Sequence, residues 1–440
     1  DFRAKGAVCG PASRAVRRRV RSSRAYTMPA METYLVGGAV RDELLGLPVG
    51  DRDWVVVGAT QAEMERAGFK AVGRDFPVFL HPETGEEYAL ARTERKTSPG
   101  YRGFVVNASP DVTLEEDLQR RDLTINAMAR AADGTLVDPW GGRVDLEARL
   151  LRHVSPAFAE DPVRILRTAR LAARFAAQGF TVAEDTLALM RAMVAAGEVS
   201  ALVPERVWQE TRRALETEHP DEFVRVLRDC GALAVVFPEL HALFGVPQPP
   251  RWHPEIDTGR HLLLCLRAAA RLGLETEARF AVLTHDLGKG NTPREFWPAH
   301  HGHEERSVTL LRQLCARLKV PTACRELAEI VARYHGLCHR AAELRPTTVL
   351  RLLEGCDALR RPERFAQFLG ACEADMKGRA GLEDAPYPQA GLLQRAREAA
   401  ASVESGPLLE SGLSGEALGE KLRELRVAAI AAACPRAGEA

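Results

Sequence analysis

The 440-residue chain has no charge of one sign in excess: 60 lysines and arginines meet 60 aspartates and glutamates. Global basicity is therefore excluded as a means of holding nucleic acid, and any such contact must come from a local arginine patch. No uninterrupted apolar run approaches the roughly 18 residues that span a bilayer, so the sequence predicts no contact with a membrane. The nine cysteines include no Cys-x-x-Cys pair, which argues against a zinc ribbon and predicts reduced thiols in a cytoplasmic protein. No repeat of fixed period is present. Acidic residues are missing from residues 2–30, where Arg14, Arg17, Arg18, Arg19, Arg21 and Arg24 crowd together. This basic leader is expected to be disordered, and it reads as sequence upstream of a start at Met31 in preference to a targeting arm.

The length predicts two to four domains. From Met31 to about Leu150, short β runs at Tyr34–Val36, Trp54–Val57 and Glu86–Leu90 alternate with helical segments. Beyond Leu151 the pattern is helical, over Val163–Ala177, Glu205–Glu216, Asp221–Cys230, His261–Leu272, Ser307–Leu318 and Cys324–Tyr334. The fold class expected is α+β: an α/β head followed by an all-α body. Val246-Pro247-Gln248-Pro249-Pro250 predicts a boundary within that body, because consecutive prolines fit neither helix. The expected division is a leader at 1–30, a head at 31–150, a helical neck at 151–250, a histidine-rich domain at 251–378 and a helical tail at 379–440.

The head carries Val36-Gly37-Gly38-Ala39-Val40-Arg41-Asp42, then Asp51-Arg52-Asp53 running into Trp54-Val55-Val56-Val57. On a strand, Asp51 and Asp53 project from one face. Two hard anionic ligands side by side suit Mg²⁺ that is also held by substrate phosphates. Gly37 and Gly38 let the backbone approach a triphosphate, with Arg41 supplying charge. Singly, a Gly-Gly turn is an ordinary strand-to-helix connection and an Asp-x-Asp a solvated loop. Together in one strand–turn–helix–strand unit, they point to nucleotidyl transfer.

Two further groups follow. Arg120-Arg121-Asp122-Leu123-Thr124-Ile125-Asn126-Ala127 is expected to open a helix whose arginines grip triphosphate oxygens, with Asp122 and Asn126 on one face; a surface salt-bridge helix is the alternative. Glu160-Asp161-Pro162-Val163-Arg164 begins the helical body, and Arg164, Arg167, Arg170 and Arg174 form a stripe at three- and four-residue spacing. Such a stripe is ordinarily a solvated face. Beside a nucleotide site, an Asp and an Arg can instead read a base edge by accepting and donating hydrogen bonds.

These four motifs, in this order and spacing, resemble the class II tRNA nucleotidyltransferases, the CCA-adding enzymes, from Met31 nearly to the C-terminus. The resemblance implies a polymerase-beta-like head, with Gly38, Arg41, Arg121, Arg167 and Arg170 contacting ATP or CTP and Asp51 and Asp53 binding Mg²⁺. It further implies that Asp161 and Arg164 pair with the incoming base, in place of a nucleic-acid template. Glu87, in Glu87-Tyr88-Ala89-Leu90, is the candidate for a third active-site carboxylate, with a structural salt bridge as the alternative.

The histidines concentrate in the second half: His253, His261, His285, His300, His301, His303, His335 and His339. Thr284-His285-Asp286-Leu287-Gly288-Lys289-Gly290, with histidines before and after, offers imidazole and carboxylate ligands for a divalent ion that polarises water. The stretch resembles the HD phosphohydrolases, which implies a metal site at His261, His285, Asp286 and Asp375 holding Ni²⁺, Mn²⁺ or Mg²⁺. Asp357 is the rival to Asp375, and His300, His301, His303 and His335 all remain candidates to complete the site. Gly336 stands where the HD family favours a polar residue.

The expected activity is addition of CMP, CMP and AMP to a tRNA 3′ end, with a phosphatase or 2′,3′-cyclic phosphodiesterase for repair of damaged ends. ATP, CTP and tRNA are the expected partners of a monomer or homodimer. The rivals are a bacterial poly(A) polymerase, a nucleotidyl-transferring regulator of a signalling protein, and a tRNA-end binder without catalysis.

Overall fold

The computed structural model describes residues 31–72, 78–96 and 104–434. The basic leader lies outside them. The head is built on strands β1 (Glu32–Val36), β2 (Asp53–Val57), β3 (Lys70–Val72), β4 (Val78–Leu80), β5 (Glu87–Leu90), a separate hairpin of β6 (Thr93–Lys96) and β7 (Phe104–Asn107), then β8 (Ala129–Ala131) and β9 (Leu136–Val137). Seven of them form a mixed sheet in the order β3-β4-β5-β2-β1-β8-β9. β2 runs antiparallel to β1 and parallel to β5, in a register that sets Asp53 beside Glu87 and Trp54 beside Tyr88.

That register has a visible cause. The Trp54 and Tyr88 rings stack across the strands, with centroids 5.5 Å apart and planes within 6°. Because side chains alternate faces along a strand, this aromatic pair on one face fixes the neighbouring Asp53 and Glu87 together on the other. A slip of one residue would send the carboxylates into the apolar layer.

One expectation is corrected. Arg120 and Arg121 follow the end of the helix Leu114–Gln119, and beyond them the chain makes only a short 3₁₀ turn at Thr124–Asn126. Thr113 and Glu116 form a capping box at the start of that helix. Buried Asp117 near its end accepts from Arg120 and Arg121 and from the Arg92 backbone N–H. Asp122 in turn accepts from its neighbour's N–H at Leu123. Side-chain capture of backbone and guanidinium donors thus replaces the helix the periodicity suggested.

The body is helical, and several of its helices open on a proline in the first turn, among them Pro204–Leu215, Pro220–Asp229, Pro346–Gly355 and Pro362–Lys377. The helices expected from the sequence are present. Cys324–Tyr334 extends to Thr322–His339, which places His335 and His339 one turn apart on a single helix. The proline-rich segment is helix-free and closes through a bridge between Pro247 and Asp257. Among the described residues, one apolar core continues past it, from Leu123 and Phe158 through Leu266 and Leu327 to Ile430, while the head sheet has three smaller clusters of its own. Among the described residues, no helix is long and apolar enough to cross a membrane.

Candidate functional site

Asp51 precedes β2 and Asp53 opens it, and both are exposed, as is Glu87 at the start of the neighbouring interior strand β5. Crowding by surrounding atoms and the Asp51 charge raise the Asp53 carboxyl above its ordinary range, against the pull of Arg121 and Arg167. Like charges forced together in this way form a site that a cation relieves. Asp51 and Asp53 feel each other's charge, and Glu87 is placed next to Asp53 by strand register alone.

Gly37 joins β1 to the helix Gly38–Leu44 with a φ of 72°, in the left-handed region. A Cβ there would stand 2.9 Å from an Arg121 guanidinium nitrogen, so the glycine is required both by conformation and by space. The Gly37 N–H donates to the Met128 carbonyl, while Arg121 leans across the turn from its ion pair with Asp117. Arg41 lies behind the turn, buried. It donates to Asp42 at 2.8 Å and to Asn126 Oδ1 at 2.5 Å, and its guanidinium sits over the Phe175 ring.

From Arg41 a chain of polar contacts runs into the body. Asn126 donates to Asp122, Asp122 accepts from Arg167 at 2.7 Å, and Asp42 accepts from Arg174 at 2.8 Å. Arg170 pairs with Glu210, and Arg164 donates to the carbonyls of Ala157 and Arg120. The arginine stripe of the helix Val163–Phe175 is thus no solvated face, because its members grip acceptors on other segments. Burial opposes charge on Asp122, but Arg167 and Asn126 hold its carboxyl well below the usual range. Asp161 is half-buried and accepts two bonds from Arg206, at 3.2 and 2.8 Å. Arg206, 45 residues away, had no motif to betray it.

The histidine-rich half gathers a second cluster. His261, His285, Asp286, His335 and Asp375 are all buried, and His303 and His339 border them. His261 Nε2 lies 3.0 Å from Asp375 Oδ1, and His339 Nε2 lies 2.7 Å from Asp375 Oδ2. Around Asp286 stand His285 Nε2 at 3.2 Å, His303 Nε2 at 3.4 Å, His335 Nε2 at 3.6 Å and Lys289 Nζ at 2.6 Å. The Nδ1 atoms of His285, His303 and His335 face the carbonyls of Val282, His300 and Val331. Donation there leaves each Nε2 lone pair turned inward, as metal-binding imidazoles require. Burial pushes His335 down to about 3, which keeps it neutral. His285 Nε2 and both Asp286 oxygens are buried without a well-formed hydrogen bond. Buried imidazole and carboxylate atoms without well-aligned hydrogen bonds, with Lys289 offsetting part of the Asp286 charge, fit a metal ion.

The rivals separate clearly. Asp375 is in the cluster, whereas Asp357 lies elsewhere, with Arg360, Arg361 and Arg364. His303, His335 and His339 join the cluster. His300 does not, being held by Thr292 and the Pro247 carbonyl, and His301 is exposed. The expected quartet also divides: His261, His285 and Asp375 fall in one group of potential ligands, and Asp286 falls in another with His303 and His335.

The sequence reading missed Glu255. Buried behind His261, it meets His261 Nδ1 at 2.8 Å and His253 Nδ1 at 3.1 Å, and it accepts from the Ala380 N–H. It orients His261 so that Nε2 faces the cluster. Burial alone would disfavour charge on His261, but its neighbours, Cys265, Asp375 and Glu255, raise its affinity for a proton well above the ordinary value. The surroundings of Nε2 favour positive charge.

Comparison with known proteins finds family models over the head, the neck and the HD region. Residues 33–152 match the family model of the poly A polymerase head domain, residues 179–244 that of the probable RNA and SrmB-binding site of polymerase A, and residues 258–361 that of the HD domain. The Multifunctional CCA protein of Thioalkalivibrio sulfidiphilus is 68% identical over 400 residues, spanning 91% of this chain and 98% of the relative. Its namesake in Nitrosococcus oceani is 64% identical over the same shares. A solved CCA-adding enzyme in apo form II shares the fold at a TM-score of 0.63 and 22% identity, over 91% of this chain and 88% of that one. The Thermotoga maritima CCA-adding enzyme complexed with tRNA does so at 0.61 and 21%, over 92% and 87%. The chain belongs to the multifunctional CCA proteins, CCA-adding nucleotidyltransferases that carry an HD domain.

Proposed function

We propose that the head extends a tRNA 3′ end by CMP, CMP and AMP, and that the in-register carboxylates Asp53 and Glu87, with Asp51, are where the reaction occurs. The tRNA 3′-hydroxyl attacks the α-phosphate of CTP or ATP in line and pyrophosphate leaves. Asp51 and Asp53 would hold Mg²⁺, which would supply charge to lower the hydroxyl's pKa and to balance the leaving group. Glu87 completes the carboxylate set. The backbone at Gly37 and Gly38 lies against the triphosphate, Arg121 reaches it across the turn, and Arg41 braces the turn from behind. Asp161, aligned by Arg206, accepts from the exocyclic amine of C or A, and Arg164 donates to ring acceptors by exchanging its carbonyl partners. Arg167 holds the helix that carries this reading edge against the head through Asp122, and Arg170 braces it on the neck helix Pro204–Leu215 through Glu210.

The functional units are a head at 31–150, a neck at 151–250, an HD domain at 251–378 and a tail at 379–440. The HD cluster hydrolyses phosphate esters, as a phosphatase or 2′,3′-cyclic phosphodiesterase that clears damaged ends before addition. A divalent ion held by His261, His285, Asp286 and Asp375 would polarise water there. Lys289, beside Asp286, neutralises charge as the phosphate enters. The enzyme works in the cytoplasm, where tRNA, ATP and CTP meet.

Separating the two sites tests this assignment. Asp53→Ala should reduce nucleotide incorporation to background with tRNA affinity nearly unchanged. His285→Ala combined with Asp286→Ala should remove phosphohydrolase activity and spare CCA addition. Loss of tRNA binding in the first variant, or of both activities in the second, would refute the assignment.

A further inference from the structure

The proline-flanked segment at the end of the neck sends one side chain into the histidine cluster. Gln248 stands between Pro247 and Pro249 in a stretch free of helix, yet it is only 1% exposed. Prolines on both sides restrict its backbone. Hydrogen bonds hold it further: its N–H donates to the Ile256 carbonyl at 2.8 Å, and the Pro247 carbonyl lies 2.9 Å from His300 Nε2. His300 Nδ1 lies 2.9 Å from Thr292 Oγ1. A carbonyl only accepts and a hydroxyl can donate, so a neutral imidazole protonated on Nε2 satisfies both. His300, outside the metal cluster, thus braces the backbone that carries Gln248.

From this anchored backbone the side chain reaches Lys289. Lys289 Nζ donates to Gln248 Oε1 at 2.6 Å and stands 2.6 Å from Asp286 Oδ2. An ammonium has no lone pair, so the amide must present its oxygen there and turn its nitrogen away. Gln248 Nε2 is buried with no acceptor among the described residues. The two ends of a carboxamide are roughly 2.3 Å apart, which sets Nε2 within about 5 Å of Lys289 Nζ. A buried donor left unpaired is costly and calls for an acceptor. A charged and a neutral donor, side by side next to a carboxylate of the metal cluster, suit a phosphate, which offers a separate oxygen to each.

We propose that Gln248 belongs to the phosphate-binding side of the HD site: Oε1 holds the Lys289 ammonium beside Asp286, and Nε2 donates to a non-bridging oxygen of the phosphate ester. The inference rests on the HD reading above and leaves its metal ligands, His261, His285, Asp286 and Asp375, as they are. No motif marks Gln248, because the lysine it serves lies 41 positions further on.

The test follows hydrolysis of 2′,3′-cyclic AMP and p-nitrophenyl phosphate by the full-length protein with Mn²⁺, and binding of inorganic phosphate by calorimetry. Gln248→Met, close in volume but without hydrogen-bonding groups of this kind, should raise KM and weaken phosphate binding by about tenfold or more, with kcat changed less. Gln248→Glu keeps an acceptor for Lys289 but loses the donor, and it should fail in the same way. Mn²⁺ affinity and CCA addition by the head should match the native protein, which reports that each variant is folded. Native phosphate affinity in Gln248→Glu would overturn the Nε2 contact, and a native KM in Gln248→Met would overturn the whole inference while the HD site stands. Loss of Mn²⁺ binding or CCA addition in both variants would reduce Gln248 to a structural part. A native protein that hydrolyses neither probe would overturn the HD reading, and the inference with it.

Discussion

Gly37 shows how much a single residue can carry. Its positive φ is unfavourable for any side chain by about 1 to 2 kcal/mol, and a Cβ would press on Arg121. Gly37→Ala should therefore lower stability by about 1 to 2 kcal/mol and, by displacing Arg121, lower kcat/KM for CTP and ATP. Steady-state kinetics check this, and an unchanged value would mean that the turn does not approach the nucleotide. At this scale the sequence was informative wherever chemistry sits on neighbouring residues. Asp51 and Asp53 announce themselves by spacing, and His285 and Asp286 by adjacency. Arg206 was invisible because its partner lies 45 residues away, whereas Glu255 stands close in sequence to His253 and His261 but belongs to no ligand motif. The placement of Asp375 over Asp357 likewise needed the helix Pro362–Lys377 to be seen packed against His261.

The element that matters most is the helix Val163–Phe175, whose arginines reach Asp122, Glu210 and Asp42. Periodicity revealed the helix and its stripe. It could not say where the guanidinium groups would go, because their acceptors come from residues as far off as 132 positions. Asp42 ties two arginines, so Asp42→Ala leaves buried Arg41 short of its anion and should destabilise the protein by about 3 to 5 kcal/mol. Thermal denaturation measures this, and a loss below 1 kcal/mol would show that the contact is a surface pair. Asp122 makes a pH-dependent contribution. Its folded pKa lies below the unfolded value of about 3.9, so the contribution is complete above about pH 4 and is lost as pH falls toward the folded value. Stability measured from pH 7 to pH 3 should decline more steeply in the native protein than in Asp122→Asn. Parallel curves would contradict the assignment.

Across the whole molecule, the core joins neck and HD domain without a break. The prolines at 247, 249 and 250 mark the end of helices, and sequence alone could not show that apolar contacts close behind them. A consequence is that the neck and HD regions unfold together. Leu266→Ala, at a fully buried position in the HD half, should cost about 2 to 5 kcal/mol and lower the melting temperature reported by a probe in the neck. A neck transition that stays fixed would mean two independent cores.

The central claim is tested most directly by sequencing the 3′ ends formed when purified protein, Mg²⁺, CTP and ATP meet a tRNA transcript lacking its last three nucleotides. The account predicts products that end in one CCA and stop. Long adenylate tracts would place the chain with the poly(A) polymerases instead, and the absence of any extension would contradict the assignment of Asp51, Asp53 and Glu87 to catalysis.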